Sequence, residues 1–321
     1  MELPGFEDVL RAREVVRSHL LRTPALPWPT LARQLGCELF VKHENHLPTG
    51  AFKVRGGVNL VHALSPDERA RGLVAATRGN HGLSVAWAAQ RFGVRARIVV
   101  PKGNNPEKND AIRALGAELI EHGRDYDEAR EHAEELTARC GHRYVHSANE
   151  PLLVAGVATG ALELFEDVPD LDALIVPVGL GSGICGAGIV RAERSPRTRL
   201  IGVQAERAPA VQRSWQERRA VTTPNADTFA DGLATRVPQS LTLGGILRMV
   251  DDFVTVSEAA IAQAIRDLLQ HTHNLAEGAG AASLAAASAL RDTLAGRRVA
   301  IVLSGANLDA ATLRRVVNGE L

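Results

Sequence analysis

Between residues 73 and 146 the chain repeats one unit: a short apolar run, a turn, then a segment with apolar residues at helical spacing. Runs 73–76, 96–100, 117–120 and 143–146 read as strands. Segments 80–92, 106–115 and 125–139 read as helices, with Gly93 and Gly116 closing the first two. A short run that is apolar throughout suits a strand buried on both faces, and a helical crossover returns the next strand parallel to the last. The repeat therefore predicts a parallel sheet covered by helices. The second half has the same style. Helix 151–165 leads to strand 173–178, and a glycine-rich turn and a helix to about 194 follow. Strand 200–205 and helix 209–219 come next. Strand 254–256 precedes helix 258–272, for which Ser257 is the expected N-cap. An alanine-rich helix 279–294 and a last strand 299–303 end the pattern. Residues 221–245 carry Pro224, Gly232, Pro238 and the pair Gly244-Gly245, and read as irregular. Upstream, 7–20 is a helix, Pro27 and Pro29 keep the chain extended, and 30–36 is a short helix closed by Gly36. Strand 39–41 leads to a helix from Lys53 to about 64. The fold class is α/β, with 66–149 expected as a small domain inserted into a larger one made of 1–65 and 150–321.

Charge and cysteine content narrow the function. Lys plus Arg and Asp plus Glu both number 37, so there is no basic excess to attract nucleic acid or an anionic membrane. Aromatic residues make up 4%, too few for a base-stacking surface. Cys37, Cys140 and Cys185 form no close pair, which suits a reducing compartment and gives no disulfide framework. No apolar h-region opens the chain and no apolar run is long enough to span a bilayer. The expectation is a cytoplasmic protein that acts on a small molecule.

Chemistry gathers in a few stretches at expected strand ends. KHENHLPTGAFKVRGG, 42–57, places Lys53 between an aromatic and a valine just after a tight turn. A lysine there either snorkels over apolar neighbours or is a desolvated amine able to form an imine with a carbonyl. In PVGLGSGICGAG, 177–188, glycines after a buried strand let backbone N–H groups converge at a helix start, which makes a phosphate cradle. The same stretch fits a dinucleotide fingerprint, with Gly181, Gly183 and Gly186 and with Glu206 placed to meet a ribose. In ATRGNHG, Gly79, Asn80 and His81 open a helix whose N–H groups favour a carboxylate. Asn80 is equally suited to cap that helix. Ser304 in VLSGAN sits at a strand end, and Glu277 opens a small-residue helix in AEGAGAA. His43, Glu44 and His46 do not have metalloprotease spacing.

With FADGLA at 229–234, these stretches occur in order and span nearly the whole chain. In this the chain resembles the fold-type II pyridoxal-phosphate enzymes (tryptophan synthase β-like), in their serine/threonine dehydratase and serine racemase group. The nicotinamide reading accounts for one stretch and the resemblance for six. The resemblance implies two parallel-sheet domains with pyridoxal 5'-phosphate in the cleft between them. It implies that Lys53 forms the imine, that Phe52 packs on the cofactor ring and that Asn80 bonds the ring's 3′-oxygen. Gly179, Leu180, Gly181, Ser182 and Gly183 would hold the phosphate. Ser304 would face the pyridine nitrogen, and Glu277 would lie by the ring. Thr77, Arg78, Gly79, Asn80 and His81 would form the substrate-carboxylate loop. The implied reaction is loss of water from an L-β-hydroxy amino acid such as threonine or serine. It proceeds through an aminoacrylate-type intermediate to a 2-oxo acid and ammonia, with Lys53 as general base.

Two departures from the family pattern bear on function. Racemases of this group carry serine where Arg78 stands, and an arginine is a poor base. Dehydration is therefore expected over racemisation, with racemisation or β-replacement as the alternative and an inactive binding protein more remote. Arg78 itself is expected either in a salt bridge at the domain edge or on a second anionic group of the substrate. Members with a divalent-cation site (Mg or Ca) use an acid where Glu206 stands and a carbonyl matching Ala210. Gln212 replaces an expected aspartate, which weakens that expectation. The chain stops soon after LSGAN, so a catabolic role is expected rather than feedback control by isoleucine. Family members are commonly homodimers or homotetramers.

Overall fold

The computed structural model describes residues 1–321. Ten strands form two sheets. The larger contains β1 (Ala25–Pro27), β2 (Glu38–His43), β7 (Ala173–Pro177), β8 (Arg199–Ala205), β9 (Asp252–Val256) and β10 (Arg298–Leu303), in the order β1-β2-β10-β7-β8-β9. The smaller contains β3 (Leu73–Ala76), β4 (Ala96–Val100), β5 (Glu118–Glu121) and β6 (Arg143–Tyr144), in the order β5-β4-β3-β6. Every pairing is parallel except that of β1 with β2.

Alternation along the strands of the large sheet divides its core in two. Ala173 and Ile175 of β7 point to the same side as Leu39, Val41, Val299 and Ile301. On that side lie helices Glu258–Thr272 and Gly278–Ala289. Leu174 and Val176 point the other way, with Phe40 and Ala300, toward helices Pro151–Asp167 and Ser182–Arg194. Helix Gly278–Ala289 is buried nearly all round, and its alanines let it lie close across the sheet. A third apolar cluster, around Leu73, Ile98, Val100 and Ile112, serves the small sheet.

The elements differ from the sequence expectation where tertiary packing overrides local signals. Residues 221–245 are not irregular throughout, because Ser240–Met249 is a helix. Gly245 sits where a Cβ would strike Leu3 and Cys185, so the glycine there permits close packing and does not break the helix. The alanine-rich helix ends at Ala289, and a separate turn of helix, Arg291–Leu294, follows. The first helix stops at Arg17, and the expected strand 143–146 pairs only over Arg143–Tyr144. Strand β1 falls in the stretch expected only to be extended, and the helices Pro66–Arg71 and Ala310–Val317, of six and eight residues, were not among the expected segments.

Candidate active site

The stretches singled out in the sequence follow the carboxyl ends of strands, where open parallel sheets bind ligands. Lys53 follows β2, Thr77–His81 follow β3, Gly179–Gly183 follow β7 and Ser304 follows β10. They line one cleft of about 900 Å³ including its open mouth. Phe52, Lys53, Thr77, Arg78, Gly79, Asn80, His81, Glu277 and Ser304 all face it, as does the whole run from Gly179 to Gly183.

Lys53 opens helix Lys53–His62. The turn before it is tied to β10, since Phe52 N donates to Ser304 O at 3.0 Å and Ala51 bridges Gly305. Its Nζ donates to Ser182 Oγ at 2.7 Å and to Ser147 O at 3.2 Å, and no carboxylate pairs with it. Burial pushes its pKa down to about 8. The amine is thus a desolvated base and not a snorkelling surface charge.

The glycine-rich loop turns sharply into helix Ser182–Arg194, whose N-cap Gly181 has φ 100°. A Cβ at Gly179 would collide with the Gly232 carbonyl, and one at Gly183 would come within 3.3 Å of the Phe52 ring. Two loop carbonyls are engaged by threonines: Thr242 Oγ1 donates to Leu180 O at 2.5 Å and Thr235 Oγ1 to Gly179 O at 3.4 Å. The loop backbone and the helix start border the cleft, an arrangement suited to a phosphate.

Opposite stands the start of helix Asn80–Phe92. Thr77 Oγ1 accepts from Gly79 N at 2.8 Å and from Gly82 N at 3.1 Å. Both of its lone pairs are used, so its O–H is left to donate. The N–H groups of Asn80 and His81, first in their helix, have no intrahelical acceptor. His81 Nε2 lies 2.9 Å from Val145 O, and burial pushes its pKa to about 3, so the ring is neutral and gives this N–H to the carbonyl. That makes His81 an anchor for the loop and not a base.

The far wall holds a polar group of which the sequence singled out only Asn80 and Glu277. Lys108 Nζ donates to Asp231 Oδ2 at 2.9 Å, and Asn80 Nδ2 donates to Glu277 Oε1 at 2.6 Å. Burial works against charge on Lys108, but Glu277 and Asp231 outweigh it and hold the ammonium protonated. Burial raises the Glu277 pKa, against the pull of Lys108 and Asn80. Tyr126 and Ser147 complete the wall, with their hydroxyls 3.2 Å apart. Asp231 lies in FADGLA, a motif with no physical role legible beforehand. Lys108 and Tyr126 lie in ordinary charged helices and gave no signal.

Residues 16–305 match the family described as "Pyridoxal-phosphate dependent enzyme". The chain belongs to this family. Within it, L-threonine ammonia-lyase of Thermotoga maritima is 39% identical over 312 residues, 97% of this chain and 78% of that one. The structure of the processed form of threonine deaminase isoform 2 from Solanum lycopersicum superposes with a TM-score of 0.93 at 30% identity, covering 99% of this chain and 90% of that one. Maize serine racemase gives 0.92 at 27%, covering 98% and 97%. The chain is a fold-type II pyridoxal-phosphate dependent enzyme of the serine/threonine dehydratase family.

The cleft suits pyridoxal phosphate on its own evidence. A buried amine stands at its centre, and on one side is a cradle that any side chain at Gly179 or Gly183 would fill. Ser304 is a buried residue that lines the cleft, and its hydroxyl makes no hydrogen bond within the protein. Other expectations fall outside the cleft. Glu206 is exposed at the end of β8, and Ala210 and Gln212 begin a helix whose Val211 and Gln212 N–H groups bond Gln204 Oε1. No group of three His, Cys, Asp or Glu side chains comes together to hold a metal there or elsewhere in the chain. His43 accepts from Trp28 Nε1, and Glu44 pairs with Arg55. No helix is long and apolar enough to cross a membrane.

Proposed function

We propose that this pyridoxal-phosphate dependent dehydratase converts an L-β-hydroxy amino acid, of which threonine and serine are the simplest, to its 2-oxo acid and ammonia. The observation that carries the reading is Lys53 Nζ, an unpaired buried amine with its pKa near 8, placed between a phosphate cradle and an anion-binding helix start. The name of the Thermotoga maritima relative supports the same reaction class.

The backbone of Gly179 to Gly183, with Leu180 and Ser182, would hold the cofactor phosphate. Phe52, Asn80, Glu277 and Ser304 would surround its ring. Bound there, the cofactor supplies an electron sink that acidifies the substrate Cα–H. The Thr77 hydroxyl and the N–H groups beside Gly79, at Asn80 and at His81, hold the substrate α-carboxylate. Lys53 Nζ takes the proton from Cα, for which its lowered pKa suits it near neutral pH. Ser182 Oγ steadies that amine. The Cβ–O bond breaks, and the hydroxyl leaves with a proton as water. The released enamine tautomerises and takes up water to give the 2-oxo acid and ammonia. Ser304, a neutral hydroxyl, imposes no charge on the ring, which favours prompt loss of the β-group.

The division into a large unit, 1–65 and 150–321, and an inserted unit, 66–149, belongs to the same proposal. Its support is that all four strands of the small sheet fall within 66–149 and all six of the large sheet outside it. A homodimer or homotetramer in the cytoplasm is proposed on kinship and on the three free cysteines.

The test is release of 2-oxo acid and ammonia from L-threonine and L-serine, with Lys53→Ala as the inactive control and D-amino-acid product assayed in parallel. Keto acid from either substrate is expected. D-product without keto acid, from protein with an intact cofactor spectrum, overturns the dehydratase in favour of a racemase.

A further inference from the structure

Three permanently or partly basic side chains line the cleft: Lys53, Arg78 and Lys108. Lys108 is matched by Asp231 and lies beside Glu277. Lys53 can shed its proton. Arg78 can do neither. Its guanidinium is always charged, it forms no salt bridge, and its Nε is buried with no hydrogen-bond partner. The expected salt bridge at the domain edge is absent. Arg78 also lines a second recess that opens beside the cleft and shares Tyr126, Leu180, Ala234 and Thr235 with it. The acids of that recess, Asp125 and Asp127, are both taken by Arg236. A half-buried guanidinium with an unmet donor costs stability unless an anion completes it.

We propose that Arg78 binds a second carboxylate, carried on the substrate β-carbon, so that the preferred substrate is a 3-hydroxyaspartate. This rests on the dehydratase reading and names its substrate. The α-carboxylate is already served by the Thr77 hydroxyl and the helix N–H groups at Asn80 and His81. The planar guanidinium fork matches a carboxylate in two-point contact. The balance is the same as for threonine. The Cα–H and Cβ–O bonds break, water leaves, and water returns when the imine hydrolyses, giving oxaloacetate and ammonia.

Binding tests the proposal apart from turnover. L-Aspartate has the second carboxylate but no β-hydroxyl to lose, and L-alanine has neither. Their dissociation constants are read from the cofactor absorbance of the loaded enzyme. A charge-assisted carboxylate contact predicts at least ~10-fold tighter binding of aspartate than of alanine. Arg78→Gln should erase that preference and leave alanine within ~3-fold of wild type, while Arg78→Lys should restore part of it. Equal binding of the two ligands by the wild type overturns the proposal, and so does an equal loss for both in Arg78→Gln, which would put Arg78 on the α-carboxylate. In turnover, kcat/KM for L-threo-3-hydroxyaspartate should exceed that for L-threonine by at least ~10-fold and lose the excess in Arg78→Gln. Aspartate preference without any keto-acid release would strike the dehydratase reading alone and leave the Arg78 assignment standing.

Discussion

Glu277 accepts a 2.6 Å hydrogen bond from the side-chain amide of Asn80, a residue 197 positions earlier that follows a strand of the other sheet. The Asn80 carbonyl oxygen in turn accepts from Asn307 Nδ2 at 2.7 Å. With its oxygen engaged and one N–H committed, the amide has a fixed orientation and one N–H left for a ligand. The contact thus sets how one wall of the cleft faces the other.

Glu277→Ala should loosen that wall. It leaves an Asn80 N–H unmet and removes one of the acids that hold Lys108 charged. The fold should lose ~1–3 kcal/mol, read by urea denaturation, and the cofactor dissociation constant should rise. Unchanged cofactor affinity would mean that Asn80 needs no partner to stay in place.

Lys53→Met should abolish turnover, a loss of at least ~10²-fold. It should also stabilise the cofactor-free protein below pH 8. The folded pKa of about 8 lies below the ordinary lysine value of 10.5, so the cost of burying the charge is fully present below pH 8. The cost fades as pH rises from 8 toward 10.5, where only the unfolded chain still holds the proton. The gap in melting temperature between variant and wild type should therefore close across that window.

Acid should unfold the protein through histidines held neutral. Burial lowers His43 to about 4 and His81 to about 3, each from 6.5. Their contribution is complete above pH 6.5 and is lost as pH falls toward 4, because the unfolded chain binds protons that the folded one refuses. Denaturation between pH 4.5 and 6 should show uptake of about two protons from these groups, one fewer in His81→Asn.

Arg55→Met tests the ionic group beneath the lysine turn. Fully buried Arg55 pairs with Glu44 and Glu163, and Lys42 pairs with the same Glu163. Removing the guanidinium strands two acids with one lysine and should cost ~3–5 kcal/mol. Arg55 stands two residues after Lys53 in the same helix, so cofactor retention should fall with stability, as the cofactor absorbance after gel filtration would show.

What was legible in the sequence was set by short-range chemistry. Gly36 and Gly93 ended their helices in the left-handed conformation, Ser257 capped its helix, and apolar runs such as 73–76 and 96–100 became strands. Each depends on neighbours within a few residues. The cleft lining was legible because glycines, a lysine and a strand-end serine stand out at such positions. Lys108, Tyr126 and Thr242 do not stand out. Lys108 meets Asp231 across 123 residues, Tyr126 meets Ser147 across 21, and Thr242 meets Leu180 across 62. Helix Ser240–Met249 was missed for the same reason, since the partners that make Gly245 useful lie at Leu3 and Cys185.

Strand β10 lies between β2 and β7, hydrogen-bonded to both, and Ser304 at its end fixes the peptide of Phe52. In the order of synthesis β10 is made after both of the strands that it separates. The lysine turn and the phosphate loop are therefore brought to their working distance only when residues 298–305 have left the ribosome. A chain that stalls before β10 presents the unpaired edges of β2 and β7 in place of a joined binding site.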